Sequence, residues 1–143
     1  MKRLLLLIGF LLSPGLAAAQ NGFFWLGPAG TITPFHHDLT NNLMAQVIGR
    51  KRVKVVPSWD LPLMRNLYHV YCQVDGRFLP PSPHAGFQQP RILECILDPG
   101  EILFLPVGCL HFVEGLDISA TVSFTNFAFD NDFASFYTTY QTV

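Results

Sequence analysis

From Gly22 onward, short apolar or alternating runs are separated by turn residues at close spacing. This pattern is typical of an all-β protein. It predicts eight strands: Phe23–Leu26, Thr31–Phe35, Leu43–Ile48, Arg52–Val56, Ile92–Leu97, Ile102–Pro106, His111–Glu114 and Ile118–Phe127. Because many of these segments are apolar on both faces, we expect two sheets closed over one another as a jelly roll.

The strand pattern is lost between Ser58 and Pro90, where five prolines fall in a polar stretch. We expect a long loop insertion with one helical turn near Leu61–Asn66, acting either as a substrate lid or as an apolar flap. The tail Asn131–Tyr140 predicts a short C-terminal helix. Its aromatic residues have helical spacing and suit either a homodimer contact or packing on the same barrel.

Residues 1–20 have a different character from the rest of the chain. Lys2 and Arg3 precede the apolar run Leu4–Leu12, and three alanines end at Ala19, which together match a signal peptide cleaved after Ala19. The run is about half of the roughly 20 residues that a membrane-spanning helix needs, so we expect no permanent membrane anchor. The alternative is a truncated or misassigned N-terminus, with residues 21–143 as the folded domain.

Composition narrows the function classes. A length of 143 residues fits one domain, and a net charge of −1 gives no global attraction to nucleic acid. The chain has three cysteines, Cys72, Cys95 and Cys109. Their odd number and wide spacing argue against a disulfide framework or a structural zinc knuckle.

A candidate metal site begins at His36-His37-Asp38. In an extended segment His36 and Asp38 point to the same side, whereas His37 faces away. His111 opens a later strand that a folded-back jelly roll brings close. Two imidazoles and one carboxylate on one face of a metal are the arrangement of non-haem Fe(II) oxygenases. Each histidine taken alone also suits an ordinary core or surface position.

Lys51 is the second candidate. The period of two across Arg50–Val56 places Lys51 on the same face as two valines, while Arg50, Arg52 and Lys54 lie on the other face, as a solvated basic edge or nucleic-acid patch would. An ammonium on an apolar face is costly unless an anion meets it, which favours a carboxylate ligand inside the barrel.

Taken together, the motifs resemble a known family. The sequence is similar to the JmjC/cupin-like Fe(II)- and 2-oxoglutarate-dependent oxygenases, which include the asparaginyl hydroxylase that acts on hypoxia-inducible factor. The resemblance runs from about Gly22 to Asn126 and rests on these segments: Gly27-Pro28, Gly30-Thr31, Thr33–Asp38, Asn41-Asn42, Gln46, Gly49–Lys51, Pro99–Glu101, Leu105-Pro106, Gly108 and His111.

The resemblance implies a double-stranded β-helix, the jelly roll of the cupins, in residues 21–143. It implies Fe(II) held by His36, Asp38 and His111, with 2-oxoglutarate and O₂ as co-substrates. Thr33, Asn42 and Lys51 match the family positions that hold 2-oxoglutarate, with Lys51 on its distal carboxylate. Cys109-Leu110 stands where many members carry a tryptophan pair.

The function that the resemblance implies is hydroxylation of a protein, peptide or amino-acid-like substrate. The alternatives are a non-catalytic cupin that binds a metal or small ligand, and a jelly-roll interaction module with no metal. The co-substrate chemistry favours the cytoplasm, because 2-oxoglutarate and reduced iron are supplied there. Export through the signal-like segment 1–19 is the alternative.

Overall fold

A computed structural model describes residues 22–64, 70–72, 74–77, 89–125 and 127 of the chain. All eight predicted strands occur in it. They are β1 Gly22–Gly27, β2 Ile32–His36, β3 Asn42–Ile48, β4 Lys51–Val56, β5 Leu93–Leu97, β6 Ile102–Leu105, β7 Leu110–Gly115 and β8 Ser119–Phe124. The helical turn expected near Leu61–Asn66 is a 3₁₀ helix that covers Ser58–Met64.

The strands form two four-stranded antiparallel sheets. The first sheet has the order β1-β8-β3-β6 and the second has the order β2-β7-β4-β5. Successive strands alternate between the sheets for β1 to β4 and β5 to β8, as in a double-stranded β-helix. The predicted all-β jelly roll is therefore confirmed.

The two sheets present different inner surfaces to each other. Val53 and Val113 of the second sheet pack against three apolar side chains of the barrel interior, Met44, Leu97 and Leu105. The inner face of the first sheet is partly polar, with Gln46, Ser119, Thr121 and Ser123 all buried. The Thr121 hydroxyl donates to Gln46 Oε1 at 2.6 Å, so this polar wall is ordered by its own hydrogen bonds.

A larger apolar cluster lies on the outer face of the second sheet. It contains six buried side chains, Phe35, Val56, Met64, Cys72, Leu110 and Phe112. The described part of the predicted loop covers this face: a Cβ on Gly76 would overlap the Phe112 ring, so only glycine allows this close approach. The described part of the loop is thus an apolar cover of the outer face of the second sheet, whereas the apolar flap predicted from the sequence was expected over the barrel mouth.

The basic residues on the outer side of β4 are engaged in structural contacts. Arg52 pairs with Glu114 at 2.7 Å, and the Lys54 ammonium donates to the Gly76 carbonyl at 2.8 Å. Arg50 pairs with Asp117 at the exposed start of the strand. These contacts hold β4 against β7 and the loop. Arg50 keeps the solvated position that the sequence predicted, with 53% of its side chain exposed, whereas the Lys54 side chain is only 12% exposed.

Two predictions fall outside the described residues: the signal-like segment 1–20 and the helix Asn131–Tyr140 with its proposed dimer contact. In the part of the chain that the structure describes, no helix has the length and apolar character needed to cross a membrane.

Candidate metal centre

The pairing of β2 with β7 brings the two histidines together. His36 lies opposite His111 in the strand register, and both side chains point into the barrel. The register shifts between Thr33 and His36, which marks a β-bulge around Pro34. This bulge lets Thr33 and His36 share the inner face although their spacing is odd.

Asp38 follows β2 and completes a cluster of three metal-ligand side chains. His36 Nε2 lies 3.9 Å from Asp38 Oδ1, and His111 Nε2 lies 3.9 Å from Asp38 Oδ2. All three ligand atoms fall within 4.8 Å of one another. The two 3.9 Å separations exceed hydrogen-bond length, whereas two donors on one first-row metal can lie up to about 4.2 Å apart. The spacing therefore fits a cation between the side chains.

Backbone carbonyls orient both rings. His36 Nδ1 lies 2.8 Å from the Pro34 carbonyl oxygen, and His111 Nδ1 lies 3.3 Å from that of Cys109. A carbonyl oxygen only accepts, so in each ring Nδ1 carries the proton and Nε2 keeps its lone pair for a metal. Burial, together with the nearby His36, lowers the pKa of His111 well below its ordinary value. Its imidazole is thereby kept in the neutral form that ligates metals.

The carboxylate is also held in place. Asn42 Nδ2 donates to Asp38 Oδ2 at 2.9 Å, which leaves Oδ1 facing His36. Two imidazoles and one carboxylate, each fixed by a further hydrogen bond, are the donor set of non-haem Fe(II) sites. The residues present therefore fit Fe(II).

An open cleft of about 420 Å³ surrounds this cluster. The structure brings all six sequence-predicted site residues to its walls, together with Trp25, Met44 and Val113: His36, Asp38, His111, Thr33, Asn42 and Lys51. We call this space the metal cleft. His37, predicted to face away, is buried outside it, with its backbone N–H donating to the Val70 carbonyl at 3.0 Å.

Lys51 enters the metal cleft as a half-buried ammonium. Its strand neighbour on β7 is Gly115, four positions beyond the His111 register, so it lies deeper in the barrel than the metal ligands. Burial lowers the pKa of Lys51. Among the described residues no carboxylate pairs with it, unlike Arg50, Arg52 and Lys54. A cation without an anion, in a polar-walled cleft, is chemically suited to an anionic ligand.

Residues 13–135 match the family model described as "Cupin-like domain". The chain belongs to the cupin-like domain family. Among curated relatives, this cupin-like domain is 38% identical over 104 residues to lysine-specific demethylase 8 of Xenopus tropicalis, and 37% identical over 104 residues to lysine-specific demethylase JMJ30 of Arabidopsis thaliana. Each alignment covers 70% of this chain and 24% of the relative. The resemblance to JmjC/cupin-like proteins is thus confirmed.

A solved structure supports the fold. The cupin-like domain superposes on the Escherichia coli ribosomal oxygenase YcfD with a TM-score of 0.50 at 20% identity, covering 76% of this chain and 24% of that one. At this identity the likeness concerns the fold alone. The chain spans about a quarter of the length of the curated relatives and of this structure.

Two aromatic residues near the three candidate metal ligands of the cupin-like domain were not among the predicted site residues. Trp25 of β1 forms part of the cleft wall, and its indole N–H donates to the Ser123 hydroxyl at 3.1 Å. Tyr71, from the loop, pairs with His36 through an isolated β-bridge, and its ring stacks on the imidazole with centroids 5.7 Å apart. No local motif marks either residue; the Gly27-Pro28 turn after β1 is the nearest signal for Trp25.

Proposed function

We propose that this cupin-like domain is an Fe(II)- and 2-oxoglutarate-dependent oxygenase that hydroxylates a protein, peptide or amino-acid-like substrate. The observation that carries the proposal is the meeting, in one cleft, of a His36–Asp38–His111 cluster and a Lys51 ammonium that has no carboxylate partner among the described residues. A cupin that binds only a metal needs the three ligands. A half-buried Lys51 ammonium would contribute nothing to such a site, while its loss of hydration costs free energy.

Each group has a distinct role in binding. His36, Asp38 and His111 would hold the metal on one face and leave the opposite positions open. Lys51 would neutralise the distal carboxylate of 2-oxoglutarate, with the Thr33 hydroxyl beside it. Asn42 acts through Asp38, whose carboxylate it orients. Fe(II), when bound with 2-oxoglutarate and O₂, supplies the oxidising chemistry for insertion of oxygen into a C–H bond.

The protein's own contribution is geometry and exclusion of water. The carbonyls of Pro34 and Cys109 fix both imidazoles before a metal arrives, so little reorganisation is needed on binding. Trp25 forms one side of the cleft, where its ring would limit solvent access to a bound metal. The supply of 2-oxoglutarate and reduced iron favours the cytosol as the compartment of the proposed activity.

The relatives suggest which substrates to test first. Several are named lysine-specific demethylases, and JMJ20 of Arabidopsis thaliana, 30% identical over 111 residues, is named an arginine-specific demethylase. Hydroxylation of an N-methyl group gives an unstable product that releases formaldehyde, so one oxidation underlies both outcomes. Peptides with lysine, arginine and their methylated forms are therefore the first substrate set.

The test is succinate release from 2-oxoglutarate by the purified chain with Fe(II). We expect release by the wild type, and loss of it in both Asp38→Ala and Lys51→Ala. Arg50→Ala removes a neighbouring cation outside the cleft and serves as the matched control, with turnover as in the wild type. Equal turnover in the wild type, Asp38→Ala and Lys51→Ala would refute the proposal. Tight metal binding without succinate release would favour the non-catalytic cupin.

A further inference from the structure

A second cavity adjoins the metal cleft at Lys51. It is partly open to solvent, measures about 370 Å³ with that open space included, and shares four wall residues with the metal cleft, Trp25, Thr33, Lys51 and Val113. Its remaining walls come from the opposite end of the barrel: Leu26, Gly27, Thr31, Gly115 and Ser119. The Lys51 side chain thus borders two spaces, one toward the metal ligands and one away from them.

Small residues line the second cavity at the end away from the metal ligands. At the register level of Lys51, the neighbour on β7 is Gly115, and Ser119 of β8 lies opposite Gly27 of β1. Two glycines and a serine therefore line this end of the barrel. A Cβ on Gly27 would lie 2.8 Å from the Thr31 hydroxyl oxygen, and a Cβ on Gly115 would lie 3.2 Å from the Pro28 carbonyl oxygen, so close packing favours glycine at both positions.

The charge of the lining residues indicates which class of ligand the second cavity can bind. Among the residues that line it, Lys51 is the charged one and the others are neutral. The Lys51 ammonium has no ion pair or hydrogen bond within the described part of the chain, and its four-carbon stem is flexible. Because Lys51 lines both spaces, a rotation of its side chain would bring the ammonium from the metal cleft into the second cavity.

We propose that the joined cavity accepts a 2-oxo diacid one methylene longer than 2-oxoglutarate, with Lys51 turned into the second cavity to hold the distal carboxylate. This inference rests on the proposed function, because it assigns the same anchor to a longer co-substrate. A pocket that closes behind its anchor discriminates against one extra methylene by about 10- to 200-fold. Here the extra length enters space that is already present.

The test is calorimetric titration of the Zn(II)-loaded full chain with 2-oxoglutarate and with 2-oxoadipate, so no turnover is needed. We expect the Kd for 2-oxoadipate to lie within about tenfold of that for 2-oxoglutarate. Ser119→Leu fills the second cavity and is expected to raise the ratio of the two Kd values by about tenfold or more. Ser119→Ala leaves the space open and is expected to keep the wild-type ratio.

The outcomes separate the two proposals. If 2-oxoglutarate binds but 2-oxoadipate does not bind to the wild type, or if Ser119→Leu leaves the ratio unchanged, the longer-acid inference is overturned and the proposed function stands. If neither acid binds, both are overturned. Should Ser119→Leu lose cooperative thermal unfolding, Thr31→Phe narrows the same cavity from an exposed position and gives the same comparison.

Discussion

Replacement of Lys51 by methionine separates a binding role for this residue from a structural one. Methionine keeps the apolar stem and removes the charge. A hydrogen bond to a charged group contributes about 1.5–3 kcal/mol, which corresponds to about 10- to 150-fold in Kd. Because Lys51 is half exposed, solvent screens the pair, and we expect the Kd for 2-oxoglutarate to rise by about 10- to 30-fold.

Lys51→Met weakens ligand binding, but it is not expected to weaken the fold of the ligand-free protein. Burial lowers the pKa of Lys51, so the folded state disfavours its charged form. Lys51→Met removes that cost, and the free energy of unfolding of the ligand-free chain is expected to stay equal or increase. A structural cation would behave differently, because its removal would break a pair and lower stability. Thermal unfolding with and without 2-oxoglutarate measures both effects on the same samples.

The pH dependence gives an independent measurement. The anion binds the protonated ammonium, so affinity is complete below the pKa of Lys51 in the free protein and is lost as pH rises through it. Burial places that pKa below the ordinary 10.5, so the decline starts at a lower pH than for an exposed lysine. Lys51→Met is expected to lack this decline. Equal Kd values for the two proteins across the pH range would refute the role of Lys51.

Three further substitutions, with Gly100→Ala as a control for one of them, test the structure around the cleft. Asn42→Ala removes the donor to Asp38, and a competition titration is expected to show a Zn(II) Kd about 10- to 100-fold higher; an unchanged Kd would contradict the orienting role. Gly49→Ala is expected to lower the free energy of unfolding by about 1–3 kcal/mol in urea, because φ is +66° and a Cβ would overlap the Ile118 carbonyl. Gly100→Ala, where a Cβ meets nothing within 4 Å, should cost less. Phe112→Ala should cost about 3–5 kcal/mol, and a loss below 1 kcal/mol would show that the loop does not depend on that ring.

Local pattern was sufficient for the strands and for the choice of His36, Asp38 and Lys51. The period of two assigns each residue to a face, and a charged group on an apolar face draws attention because burial is costly. Strand alternation alone does not place Thr33 beside His36, since their spacing is odd. The bulge that reconciles them depends on the pairing of β2 with β7, which only the folded chain shows.

Long-range contacts explain the remaining differences. Trp25 and Tyr71 reach the site from distant parts of the described chain, one through β1 and the other through a bridge to β2. Arg52 was predicted to lie on a solvated edge, yet Glu94 and Glu114 approach it from the two flanking strands. A sequence pattern identifies the type of each side chain but not its partner in a neighbouring strand.

The larger apolar cluster lies outside the barrel, because the cleft occupies part of the barrel interior. The inner wall of the first sheet is lined by Ser119, Thr121 and Ser123, which bury little apolar surface against the second sheet. Six apolar side chains instead pack on the outer face of the second sheet, beneath the loop. That outer cluster includes Phe112, whose strand neighbour His111 is a proposed metal ligand. The loop therefore stabilises the strand that carries the ligand, and so the long insertion contributes to the site even where it does not touch the cleft.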